Sequence, residues 1–469
     1  MLRIVEDLAE ARRTVLRRQP PGAVELPAAD RERIARVFGE PLSAEGVVAR
    51  IVGRVRAEGD RALRDLTRQL DGVELEALEV PRSAIEAAYE QVSPSLVDAL
   101  RLAAERIRAF HTKQVPRSWL DFEEGGALGQ IIRPLERVGI FSPRGAAGYP
   151  STVLMQAVPA KVAGVREVIV AAAPISPAPI SPAPISPASG ASGSGASGSG
   201  WKDLPSPTTL VAADVSGVDR VFRIGGAQAI AALAYGTESV PRVDKVLGPG
   251  GLFVTLAKRL VSADVAIDQL AGPTETVVVA DESANPAAAA ADLLAQAEHA
   301  PLASPILIAT SRAVAEAVQA EVELQIPSLS RGAIARESLD RNGGAVVAPG
   351  LEAALQLANE YAPEHLCLLV RDPWAAVGLV RNAGGVFVGE ESLEAVGDYT
   401  AGPSHVMPTS GTARFASPGN VWDFLKITSL FAMSRQQVRQ IAPAAIEIAE
   451  AEGFTAHAAA IRLRLGQEG

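Results

Sequence analysis

The chain has 469 residues, 48% of them hydrophobic and 21% charged, the balance of a globular protein with more than one domain. A net charge of −10 leaves no basic footprint for nucleic acid and no cationic helix for a membrane surface. The single cysteine, Cys367, excludes an intrachain disulfide and a thiolate-rich metal site, and it fits a reducing compartment.

The opening MLRIVEDLAEARRTVL is broken by acids and arginines, so it reads as a helical arm and not as a secretory segment. No run is apolar for long enough to span a bilayer. Helical spacing continues through SAEGVVARIVGRVRAEGDRALRDLTRQL and LVDALRLAAERIRAFHT. From IIRPLERVGIFSP onward the texture changes. Short β-rich runs, VREVIVAAA, VDRVFRIGG, VDKVLGPGG, ETVVVADES and SPILIAT, alternate with alanine-rich stretches such as PSTVLMQAVPAKVAG and GAQAIAALAYG. That alternation predicts an α/β protein with parallel sheets. Residues 174–200, PISPAPISPAPISPASGASGSGASGSG, are foreign to this texture and read as a solvated insertion in a loop after a strand. After residue 430 the chain returns to helix, in QQVRQIAPAAIEIAEAEGFTAHAAAIRLRLG.

The residues able to do chemistry lie in the second half. Asn285-Pro286 supplies an N-cap and a first-turn proline for a helix carrying Gln296 and His299, three positions apart on one face. A lone histidine at a helix end is commonly just a partner for the helix dipole. NEYAPEHL puts Glu364 and His365 where a loop enters the apolar run LCLLV, in which Cys367 reads as a buried core thiol. The loop GDYTAGPSHVMPTSG holds Asp398 and His405, and EGFTAH holds Glu452 and His457. Four of the five histidines thus sit beside carboxylates, glycines or an amide. Solvated surface would explain any one of them, but the set points to one polar centre. Two imidazoles, a carboxylate and an amide oxygen suit a catalytic Zn²⁺, and equally Mn²⁺ or Co²⁺. Glu364 and His365 are then left for acid–base work. Gly272-Pro273 turns the chain so that Thr274 and Glu275 stand at the mouth of a strand. RIGGAQAIAALAYG and LGPGG offer glycine-led helix starts for a phosphate, without a dinucleotide fingerprint.

The segments GGAQAIAALAYGTESVPRVDK, AIDQLAGPTE, LLAQAEH, NEYAPEHL, GDYTAGPSHVMPTSG and EGFTAH, with FHTKQ and GYPSTVLM, resemble the histidinol dehydrogenase family. The resemblance covers everything but residues 174–200 and a loosely matching N-terminal portion. It implies oxidation of L-histidinol to L-histidine through the aldehyde, with two hydride transfers to NAD⁺ and one Zn²⁺ per subunit. That is the last step of histidine biosynthesis, in the cytoplasm. It implies Gln296, His299, Asp398 and His457 as zinc ligands and Glu364 and His365 as the acid–base pair. Substrate contacts would come from Thr274, Gln296, His299, His365, Asp398, Glu452 and His457, and cofactor contacts from Phe141, Gln228 and Gly251.

The implied fold is α/β, with two incomplete Rossmann-like domains of parallel sheet, a helical N-terminal arm and a C-terminal helical tail. The arm is expected over 1–36, one domain over 37–140 with 275–419, and the other over 141–274 with the insertion 174–200. The tail, 420–469, would reach a partner subunit in a homodimer. Nearby readings are a paralogue that oxidises another polar alcohol, and a zinc hydrolase in which Glu364 drives a metal-bound water. Three positions depart from the family pattern. Phe141-Ser142-Pro143-Arg144-Gly145 stands where a tyrosine and a Pro-Gly-Gly are usual, Gly251 replaces a cofactor-contacting asparagine, and Ser404 stands where asparagine is usual. These departures imply altered NAD binding, with Arg144 set to meet a phosphate.

Overall fold

The computed structural model describes residues 2–18, 28–123, 125–143, 148–175, 201 and 203–466. Arg144 and residues 176–200 of the insertion lie outside the described residues. In chain order the strands are β1 (Ile4–Val5), β2 (Trp119–Glu123), β3 (Gly126–Pro134), β4 (Arg137–Ser142), β5 (Glu167–Ala172), β6 (Arg220–Phe222) and β7 (Lys245–Leu247). They continue with β8 (Ala266–Ile267), β9 (Glu275–Ala280), β10 (Ser304–Ala309), β11 (Gly344–Val347), β12 (His365–Leu369), β13 (Gly385–Val388) and β14 (Leu425–Met433).

Two of the three sheets are parallel throughout. One runs β1-β11-β10-β9-β12-β13 and the other β6-β5-β4-β7-β8. Counted from the first strand of each and leaving β1 aside, both wind in the order 3-2-1-4-5, a doubly wound sheet lacking its sixth strand. Their central strands, such as EVIVAA and ETVVVA, are apolar on successive positions because helices cover both faces. Leu293, Val318 and Leu339 pack on one face of the six-stranded sheet, and Leu355, Ala358 and Tyr361 on the other.

The helices Ala44–Glu58 and Asp60–Asp71 join Phe222, Ile230 and Val246 in the core of the five-stranded sheet. The division suggested by sequence had grouped residues 37–140 with the other sheet. It also began the second domain at 141, whereas that sheet's first strand starts at Arg137. The arm opens as strand β1, an edge strand paired with β11, before the helix Leu8–Arg13. No described helix is long and apolar enough to cross a membrane.

Residues 115–134 and 425–469 form a separate compact unit. Its sheet, β14-β3-β2, is antiparallel, followed by the helices Arg435–Ala451 and Thr455–Gly466. The tail is therefore not wholly helical: LKITSLFAM, rich in β-branched and aromatic residues, makes a nine-residue strand. This unit leaves Phe122 and Phe431 about three-quarters exposed, at 76% and 74%.

One buried ion pair pins a turn of the five-stranded sheet. Lys258, 2% exposed, pairs with Asp268 and donates to Gly248 O at 2.9 Å. Asp268 Oδ2 accepts from Gly248 N at 2.7 Å. Gly248 has φ +107°, and a Cβ there would lie 2.2 Å from Phe141 O, so only glycine fits. Lys258→Met leaves a buried carboxylate without its cation. It is expected to cost about 3–5 kcal/mol, read as a lower denaturant midpoint at unchanged slope.

Candidate active site

The C-terminal edge of the five-stranded sheet is built for close approach of a ligand. Phe141 lies near the end of β4, buried, with its carbonyl against Gly248. Gly225 and Gly226 lead into the helix Gly226–Tyr235, which carries Gln228. Gln228 is buried and its Oε1 has no partner. Gly251 is the N-cap of the helix Leu252–Val261, with nothing within 4 Å of where its Cβ would be. These ends flank the strands where the winding reverses, the position at which doubly wound sheets take ligands.

The acid–base candidates occupy the opposite end of the other sheet. Parallel pairing of β9 with β12 sets His365 against Thr276, so Thr274, Glu275, Glu364 and His365 gather at the N-terminal edge. Glu364 Oε2 accepts from Thr274 Oγ1 at 2.7 Å and from Glu275 N at 3.0 Å. His365 Nδ1 bonds Glu275 O at 3.0 Å. The backbone of one residue, Glu275, thus holds both side chains, one through its N–H and the other through its C=O. With Nδ1 so engaged, Nε2 faces Asp398 Oδ1 at 3.8 Å, buried and without a hydrogen bond.

Gln296 sits beneath them, fully buried, in the helix Pro286–Ala297 that Asn285 and Pro286 start as expected. With its amide nitrogen donating to Glu394 Oε1 at 2.6 Å, its oxygen accepts from Glu275 N at 2.9 Å and meets Thr274 Oγ1. Thr274 then has one proton for two acceptors, Gln296 and Glu364. Both contacts are satisfied together only when Glu364 carries a proton. The helix ends at Ala297, so His299 lies just past it in a turn, exposed to solvent on one side. The turn is closed by His299 N on Gln296 O at 3.2 Å.

Glu394 escaped the sequence reading. It is the first residue of the helix Glu394–Tyr399, 1% exposed, with Asp398 one turn on along the same face. Its Oε1 lies 3.8 Å from His365 Nδ1, and Cys367, buried as expected, points its thiol at Oε2 across 3.8 Å. The signal in the sequence was the i,i+4 pair in EAVGD, but acids so spaced usually line a solvated face. His405 Nδ1 meets Asp398 O at 2.7 Å and fixes the loop behind it.

Burial pushes the Glu364 and Glu394 carboxyls up to about 7, against the pull of the nearby His365. Burial draws His365 down, but Glu394, Glu364, Asp398 and the Glu275 carbonyl outweigh it and raise it to about 9. Loss of solvation lowers His299, partly offset by Asp398, which favours the neutral imidazole a metal requires. Gln296, His299 and Asp398 supply N and O donors near His365 and Glu394. Among the described residues no group of three or more His, Cys, Asp or Glu could hold a metal ion. His457 and Glu452 lie in the separate unit, exposed, with the His457 ring 5.2 Å from Phe454.

The family model described as histidinol dehydrogenase matches residues 39–191 and 196–465. A histidinol dehydrogenase of Deinococcus radiodurans is 52% identical over 445 residues, 94% of this chain and 95% of that protein. One of Thermus thermophilus is 50% identical over 422 residues, covering 90% and 95%. The crystal structure of histidinol dehydrogenase from Elizabethkingia anophelis superposes with a TM-score of 0.86 at 31% identity, covering 99% of this chain and 98% of that one.

Glu364, Glu394 and His365 all bind their protons more tightly in the folded state. Their contribution to stability is complete below the ordinary values of 4.5 and 6.5 and is lost as pH rises through about 7 and about 9. The thermal midpoint of the metal-free protein is expected to fall from about pH 5 to about pH 9. Glu394→Gln should flatten the lower part of that fall, and a midpoint that rises across the range contradicts the assignment.

Proposed function

The chain belongs to the histidinol dehydrogenase family, and we propose that it oxidises L-histidinol to L-histidine through the aldehyde, with two NAD⁺ and one Zn²⁺ per subunit. The observation that carries this reading is the Glu275 backbone, bonded through its N–H to Glu364 and through its C=O to His365, with His365 Nε2 left unpartnered. An orphaned, buried imidazole nitrogen beside two N/O donors, His299 and Asp398, fits a zinc site. It also fits a base waiting for an alcohol proton.

Bound at His299, Asp398 and Gln296, zinc would polarise the alcohol and its positive charge would favour neutral His365, while NAD⁺ takes the hydride. His365 accepts the hydroxyl proton as the carbinol C–H leaves with its electron pair. Glu364 then takes a proton from the water that adds to the aldehyde carbon. As that water adds, protonated His365 returns its proton to the carbonyl oxygen. The hydrate then gives its hydride to the second NAD⁺ and a hydroxyl proton to His365, and the acid so formed loses its remaining proton to solvent as the carboxylate. The Glu275 N–H and Thr274 hydroxyl hold Glu364 for this work. Phe141, Gln228 and Gly251 would line the cofactor side.

We also assign the missing ligand to a second copy. His457 and Glu452 of the partner subunit would complete each site, which supports a homodimer and accounts for an exposed His457 in a set otherwise short of ligands. A biosynthetic dehydrogenase of this kind works in the cytoplasm.

NADH should appear on mixing the zinc-loaded protein with histidinol and NAD⁺. His365→Gln is expected to lower kcat by about 10²- to 10⁴-fold with little change in KM. Mixing inactive His365→Gln chains with inactive His457→Ala chains should restore activity in hybrid dimers, and no recovery would mean that each tail serves its own chain. Gly251 has open space beside it, so Gly251→Asn fits. One added hydrogen bond is expected to lower KM for NAD⁺ by about 2- to 10-fold, read from initial rates.

A further inference from the structure

Both acid–base side chains lean on Glu275, yet the reaction has no use for its own carboxylate. The Glu275 side chain is 6% exposed and carries a definite set of partners. Arg18 Nη2 donates to Oε2 at 2.8 Å while Nη1 meets Oε1, and Ser410 N donates to Oε1 at 2.9 Å. Nε and Nη2 also reach the turn before β12. Nε donates to Tyr361 O at 3.1 Å, and Nη2 to Tyr361 O at 2.7 Å and Ala362 O at 3.1 Å. Its carbon lies 3.8 Å from the centroid of the Tyr361 ring.

Two non-glycine residues among those described have positive φ, Ala362 at 54° and Ser410 at 57°. L side chains seldom adopt that region. Both are bonded to this one ion pair, Ala362 through its carbonyl and Ser410 through its amide. Ala362 and Pro363 lead directly into Glu364. The pair therefore clamps three things together: the strand start that carries Glu275, the turn that delivers Glu364 and His365, and the loop at Ser410.

We propose that Arg18, in the N-terminal arm, is a positioning residue for the oxidation proposed above: by holding the Glu275 carboxylate it sets the backbone N–H and C=O on which Glu364 and His365 are aligned. Arg18 and Glu275 stand 257 positions apart, so the arm reaches the catalytic edge through one side chain. A planar fork is needed, because meeting both carboxylate oxygens and two carbonyls takes four donors and a lysine ammonium has three.

The test uses Arg18→Ala and Arg18→Lys in the full, zinc-loaded chain. Arg18→Ala is expected to lower kcat by about 10- to 100-fold, with KM for histidinol and NAD⁺ within about twofold of wild type. Arg18→Lys should regain only part of the loss, and it carries the comparison if Arg18→Ala does not fold. Added guanidinium ion should restore part of the kcat of Arg18→Ala and leave wild type no faster. Wild-type kcat in Arg18→Ala overturns the proposal, as does a loss that tracks the unfolded fraction and ignores guanidinium. Amide hydrogen exchange supplies a readout without substrate. Peptides spanning 273–277 and 361–366 should exchange faster in the variant while the rest of the chain stays protected, and unchanged exchange there overturns the role of Arg18. If wild type fails to oxidise histidinol, the activity reading falls and the exchange measurement still decides this one.

Discussion

The register of β9 against β12 is the constraint on which the catalytic edge depends. Parallel strands in register His365 to Thr276 put the backbone N–H and C=O of Glu275 within reach of two consecutive residues of the neighbouring chain segment. Consecutive residues in a strand point to opposite faces. Glu364 escapes that rule because it still belongs to the turn, so it can bend back to Glu275 N while His365 reaches Glu275 O. A slip of one residue would present the wrong residue's N–H and C=O to both side chains. The buried apolar runs of β9 and β12 resist that slip, since every residue of both strands is buried.

The two parallel sheets share a winding and use opposite ends. The five-stranded sheet offers the carboxyl ends of β4 and β7, the general ligand position for its topology. The six-stranded sheet offers its amino ends, where no such rule applies and side chains had to be recruited from loops and from the helix Glu394–Tyr399. The link over 268–274 joins the two. Asp268 takes part in the buried pair that fixes the Gly248 turn, Gln269 donates to Met407 O at 2.8 Å, and Gly272 N donates to Thr409 Oγ1 at 2.7 Å. Thr274 ends the link at Glu364. In the proposed function, the distance from nicotinamide to the acid–base pair is set by this short, hydrogen-bonded segment, an alignment of the kind that yields large rate gains.

The α/β class and the parallel sheets were legible because buried parallel strands are apolar at every position and alternate with helices. The start at Asn285-Pro286 was legible for a local reason, since a cap and a first-turn proline act within a few residues. Thr274, Gln296, Glu364, His365 and Asp398 stood out as polar residues in Gly-rich or apolar surroundings, and the structure brings them to one edge. Strand β14 did not stand out, because its partner β3 lies far up the chain and a nine-residue run cannot announce a distant neighbour. Glu394 hid for a different reason: nothing in EAVGD distinguishes a buried acid from a solvated one. The contact of Arg18 with Glu275 hid in the same way, among the six other charges of VEDLAEARRTVLRR.

Charge balance ties these pieces to chemistry. Glu364, Glu394 and Asp398 surround one imidazole, and a fourth acid, Glu275, is answered by Arg18. Buried carboxylates without enough cations take up protons, which is the physical content of the rise of Glu364 and Glu394 to about 7. The same deficit can be met by positive charge from outside. A divalent cation and an ammonium group, both present in the proposed complex of zinc with histidinol, would each release a proton from this cluster. Binding would then convert Glu364 from a proton carrier into a base at the moment a water must be activated. A pocket that kept its acids fully paired within the chain would bind such an occupant less well and would have no base to free.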